Sequence, residues 1–355
     1  MIEPNRNWAE AHGTPAQRVD LLDRYGIALW SAGRSHDALI FQRQAADLAL
    51  SSGDYTRAVR TLSNLAENLG QMGRLGEASA IFADAIATRD RIGPVKAGSS
   101  FTELFLGHVD RELGRYRAAL INLNSALTEM QRSGISGAVV LAESELTLVW
   151  LALGQPARAG LHSIGPTARP PNAIQAVRHV ADLQLARARG HPREALLAAA
   201  AELALGAGNE VRIPIELETA RERASAEAAA EFERLIRDAQ RARLHGHELH
   251  ARIELARTLL DAGQCDAAAG QARVALAQFE HVDPVGLYRP TVWWIAFRAL
   301  DAAGETGDAL ESLSAGRDWI EQTAQEHVPG EFRDSFLENN ALNRKLLTAA
   351  RARLD

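Results

Sequence analysis

The chain has 355 residues, 46% of them hydrophobic and 5% aromatic, with a formal net charge of −6. That length suits two or three ordinary domains or one extended repeat array, and arginine alternates with glutamate and aspartate along it, so no basic face is offered to nucleic acid. A single cysteine, Cys265, excludes an intrachain disulfide, and the lack of a basic-then-apolar leader or of 18 consecutive apolar residues predicts a cytoplasmic chain that is neither secreted nor membrane-spanning.

In chain order, residues 1–15 carry Pro4, Gly13 and Pro15 and read as a lead-in or linker. From Arg18 a pattern begins: Leu22, Tyr25, Gly26 and Leu29 on one helix, Gly33 at a turn, then Ala38, Phe41 and Ala45 on a second helix. The next copy, at 60–90, is the clearest. Leu62, Leu65, Ala66 and Leu69 share a face, Gly73 breaks the helix, and Ala78, Phe82 and Ala85 form the stripe of its partner. This succession of leucines, small residues, turn glycine and aromatic resembles the tetratricopeptide repeat.

Turn glycines recur at Gly33, Gly73, Gly114, Gly154, Gly190, Gly263 and Gly304, with gaps of 40, 41, 40, 36, 73 and 41 residues. The gap of 73 hides one pair without a glycine, expected at 215–224 and 227–244 with Ala228 and Phe232 in place. Eight pairs result. Each leaves more apolar surface than its own partner helix covers, so neighbours must stack to complete the core. The expected fold is therefore all-α, a solenoid, and the resemblance implies a right-handed α-α superhelix. The expected organisation is a front array of four repeats at 16–165, a hinge at 166–175 announced by Pro166, Pro170 and Pro171, a back array of four at 176–327, and capping helices at 328–355. In the last segment, Asn339 and Asn340 read as a stop between Phe332, Phe336 and Leu337 and a final helix with Leu342, Leu346 and Leu347.

No catalytic set emerges, and the chain is read as a non-enzyme without cofactor or metal. His245, His247 and His250 tempt a zinc reading, but the two-histidine helical site needs a spacing of four, and His247 and His250 are three apart. His245 and Gly246 instead read as the end of a helix, with His247 in the following turn. The only lysines, Lys96 and Lys345, follow no glycine, so no phosphate loop exists. Glu143 with Glu145, and Glu216 with Glu218, sit at i and i+2 and read as solvated surface.

Binding in the concave groove remains. In tetratricopeptide proteins the first helix of each pair lines that groove, and the resemblance turns inward Asp23, Ile27 and Trp30, then Asn64, Glu67 and Gln71, then His108, Arg111 and Glu112, followed by Gln184, Arg257, Trp294 and Arg298. This mixed lining suits a peptide or a small polar effector. The family's chaperone-tail clamp needs inward lysines that are missing here, although Asn64 matches an asparagine position. The tail, VPGEFRDSFLENNALNRKLL, resembles the end of bacterial STAND-type signalling ATPases and transcriptional regulators of the maltose-activator kind. That implies a sensor module with upstream ATPase or DNA-binding domains in a parent chain; the alternative is a free-standing scaffold for protein partners. Under the sensor reading, ligand should alter the angle between the two arrays.

Overall fold

A computed structural model describes residues 12–93, 99–159 and 172–354. Within them there is no strand, and helices follow one another in pairs. The first four pairs are α1 (Pro15–Ser31) with α2 (Ser35–Ser51), α3 (Tyr55–Gln71) with α4 (Leu75–Ile92), α5 (Ser99–Glu112) with α6 (Tyr116–Arg132), and α7 (Ser136–Ala152) with α8 (Pro156–Ala159). The next four are α9 (Asn172–Arg189) with α10 (Glu194–Ala204), α11 (Asn209–Ala220) with α12 (Ser225–Ala242), α13 (His245–Asp261) with α14 (Cys265–Phe279), and α15 (Pro290–Ala302) with α16 (Thr306–Glu326). A 3-10 turn (Gly330–Phe332), a π-turn (Ser335–Asn339) and α17 (Ala341–Arg353) complete the described chain. None of these helices is long and apolar enough to cross a membrane.

Local chemistry explains the boundaries. Thr14 and Gln17 form a reciprocal capping box at the start of α1, Asp54 accepts the Arg57 amide at the start of α3, and Pro290 opens α15. Leu65, Leu69 and Phe82 are fully buried between the second pair and its neighbours. Gly107 lets α5 approach α6, since a methyl there would lie 2.6 Å from Leu123 Cγ.

Three local readings need correction. The sixth pair begins at Asn209, six residues ahead of the expected start, because Pro214 is accommodated inside α11 instead of ending it. His245 opens α13, and His247 and His250 are buried in that helix, not in a turn before it. Asn340 starts rather than stops a helix: its side chain accepts the Leu342 and Asn343 amides at the N-terminus of α17. Trp8 and the hinge prolines lie outside the described residues; on either side of that segment, α7 and α9 pack directly against each other.

The superhelix closes on itself. The turn of the first pair meets the start of the sixth, where the Ser35 hydroxyl donates to Glu210. The second meets the seventh: the Gly246 amide donates to the Met72 carbonyl at 3.3 Å, and the Asp283 amide to the Gly73 carbonyl at 2.9 Å. Gly114 of the third pair touches Trp319 of α16. In the fourth, the Leu153 and Ala152 carbonyls accept from Ser335 Oγ (2.7 Å) and Asn340 Nδ2 (2.9 Å). The C-terminal segment therefore does more than cap α16. Phe336 stacks near Tyr116 and Phe332 against Trp150, with ring centroids 5.7 and 5.2 Å apart.

Gly73 combines two constraints, a φ of +82° and a backbone neighbour so close that a methyl would stand 2.6 Å from the Asp283 carbonyl oxygen. Gly53 has a φ of +71° with open space around it. Both alanine substitutions should lose about 1–2 kcal/mol from the left-handed backbone. Gly73→Ala should lose roughly 1–3 kcal/mol more from overpacking. Equal urea midpoints for the two variants would show that the contact between superhelical turns contributes nothing to stability.

Candidate functional site

Closure of the superhelix leaves a lumen of about 760 Å³. Its wall draws on α1 to α3, α5 to α7, α9, α11 and α13, and on Asn340. Residues 285–289, the strap joining α14 to α15, line it as well. The strap is tied down by hydrogen bonds from the Val285 amide to the Gly246 carbonyl and from the Gly286 amide to Glu112 Oε1 (3.0 Å), and by the Arg289–Asp283 ion pair.

Most of the lining is apolar, contributed by Phe101, Leu104 and Phe105 of α5, Leu141, Leu148 and Leu151 of α7, and Ile174, Val177 and Val180 of α9. These residues were not among the groove positions expected from the repeat pattern. One signal for them was in the sequence: α7 is hydrophobic on every side, the mark of a helix covered all round.

Nine expected groove residues do line the lumen: Ile27, Trp30, Asn64, Glu67, Gln71, His108, Arg111, Glu112 and Gln184. Four do not. Asp23 is buried beneath Arg60 Nε (3.1 Å) and Asn64 Nδ2 (2.9 Å). Arg257 lies in a small cleft with Arg187, Arg193, Arg221 and Glu222. Trp294 packs on Phe297, and Arg298 is 3.6 Å from Asp261.

Many inward polar groups are used to join successive repeats. Arg111 Nε donates to Glu145 Oε2 at 2.6 Å, Arg187 and Gln184 donate to Glu218, and Arg221 pairs with Glu254. Glu145 and Glu218 are thus buried rungs between pairs, which corrects the reading of them as solvated surface. Burial works against both charges. For Glu145, Arg111 and His108 outweigh it and pull the carboxyl down to about 2. His108 also resists charging by burial, yet Glu145, 3.0 Å from its Nδ1, together with Glu67 raises it to about 9. His247, without such a partner, is pushed down to about 3 by burial.

Several buried polar atoms of lumen-lining residues have no hydrogen-bond partner: Trp30 Nε1, Glu67 Oε2, Asn68 Oδ1, His108 Nε2 and His247 Nδ1. Unmet polar atoms in an apolar chamber suit recognition of a ligand with a small polar group. Among the described residues no group of three or more histidine, cysteine, aspartate or glutamate side chains is arranged to hold a metal ion.

Arg111→Ala leaves buried Glu112 without its cation and Glu145 with His108 as its only charged partner, and should cost about 3–5 kcal/mol. The pH dependence follows from the raised His108: its stabilisation is complete below the ordinary imidazole value of 6.5 and is lost as pH rises toward about 9. Glu145 acts in the opposite sense, its contribution being present above the ordinary 4.5 and lost as pH falls toward about 2. His108→Gln should therefore flatten the alkaline limb of stability between pH 6.5 and 9, measured by urea unfolding; an unchanged limb would assign it to other groups.

Residues 57–131 match the family model described as tetratricopeptide repeat. No curated protein sequence matches the chain. Among solved structures it is similar to a Rap protein complexed with competence and sporulation factor, with a TM-score of 0.57 and 10% identity over 94% of this chain and 96% of that one. Alignment with the tetratricopeptide domain of P58(IPK) covers 94% and 99% of the two chains at 14% identity, but its TM-score of 0.26 carries no weight. At these identities the likeness is one of fold: the chain is a tetratricopeptide-like superhelix, and 57–131 is the segment that matches the repeat's own sequence model.

Proposed function

We propose that this chain is a non-enzymatic sensor module that encloses a short peptide or small effector in its lumen and serves as the regulatory part of a bacterial signalling ATPase or transcriptional regulator. The observation that carries the reading is the lumen itself, lined by seven of the eight pairs. Its volume falls within the roughly 300–1,000 Å³ of small-ligand pockets, so a folded partner is too large to enter. Further support comes from the fold, which is that of binding scaffolds, and from the structurally similar Rap protein solved with competence and sporulation factor. The parent regulator rests on the resemblance of the C-terminal tail.

The repeat match at 57–131 also favours a second reading, a scaffold that holds protein partners on its outer faces. Native mass spectrometry of the chain recovered from its own host separates the two. A retained small molecule or peptide is expected, and Ala138→Trp, which drives an indole into the lumen, should abolish retention while leaving helical circular dichroism intact. Retention of a whole protein partner, unaffected by Ala138→Trp, would favour the scaffold and sink the sensor.

A further inference from the structure

We propose, resting on the lumen as the ligand site, that its occupant carries a positively charged nitrogen, an ammonium or guanidinium on an apolar body, seated against the Glu67 carboxylate. The charges lining this region do not balance. Glu67, Glu112 and Glu145 face two cations, His108 and Arg111, and both cations are engaged: His108 Nδ1 with Glu145, and Arg111 with Glu145 and Glu112. Arg289, the other arginine of the lining, is paired with Asp283.

Glu67 is the carboxylate left over. Its Oε1 accepts only the neutral Gln71 amide, at 2.9 Å, and its Oε2 is buried with no partner. Glu210 repeats the situation on the facing repeat: one oxygen accepts the Ser35 hydroxyl, the other has no partner, and no cation pairs with it among the described residues. Burial raises both carboxyls; for Glu67 it outweighs the nearby charge of His108, which makes no hydrogen bond to either Glu67 oxygen. A ligand cation supplies a counter-charge through a charge-assisted hydrogen bond, and the half-buried Trp30 ring in the same lining offers it an aromatic face. An anionic ligand would add to a chamber already in carboxylate excess. The apolar remainder fits against α5, α7 and α9.

Calorimetric titration of the full chain with octylamine, octan-1-ol and octanoate tests this. Octylamine should bind at least about tenfold tighter than octanol, a difference of about 1.4 kcal/mol, with octanoate weakest. Glu67→Gln should remove the amine's advantage and leave octanol binding unchanged. A trileucine amide with a free N-terminus should likewise outbind its acetylated form; whichever of the peptide and octylamine binds tighter assigns the nitrogen to a peptide or to a small amine. Octanoate binding as well as octylamine, or an amine advantage that survives Glu67→Gln, overturns the charge inference while octanol binding keeps the lumen reading. If none of the probes binds, the lumen reading falls and the inference with it.

Discussion

The backbone of Gly73 lies against that of Gly246 and Asp283, and this contact between repeats five apart turns an open solenoid into a closed one. A stacked array of helix pairs needs only nearest neighbours for its core. Here each of the first four turns also meets a later part of the chain, and residues 285–289 complete the wall from within. The interior thereby becomes a chamber of limited volume, partly enclosed by protein. Polar groups inside it interact more strongly, and unmatched ones are more costly, than on an open concave face.

That enclosure explains the two populations of charged residues along the inner helices. One population, Arg111 with Glu145, Arg187 with Glu218 and Arg221 with Glu254, joins each pair to the next and keeps its charges because each has its opposite within reach. Removing one member leaves the other stranded, so these rungs hold the register of the stack. The second population, Glu67 and Glu210 among carboxylates and Trp30 and His108 among donors, retains unmet hydrogen-bonding capacity beside the lumen. Rungs join the helix pairs to one another, whereas the unmet groups are those a ligand would satisfy under the proposed function.

Under the proposed function, an occupant of this chamber is surrounded by residues of seven pairs and the strap. Its binding free energy is then distributed over contacts that are far apart in sequence, including the seams between superhelical turns. In the proposed sensor, differential contact across the seams between superhelical turns is the means by which an enclosed ligand shifts the protein between arrangements.

The helix pairs, their number and most of their turns were legible in the sequence, because apolar spacing and left-handed glycines such as Gly33, Gly73 and Gly114 are local signals. Nine groove residues followed from the repeat register alone, since register decides which face of a first helix turns inward. Closure was not legible: it depends on the small rotation accumulated between successive pairs, which brings Gly73 to Gly246 and Phe336 to Tyr116, and no single repeat encodes that sum. Nor were the pairing states of Glu145 and Glu218, whose partners Arg111 and Arg187 are 34 and 31 residues away in sequence and become neighbours only when the pairs stack. Local patterning thus determined the units and their inward faces, while long-range packing alone decided that the groove is a partly enclosed, largely apolar lumen and which of its charges remain without a partner.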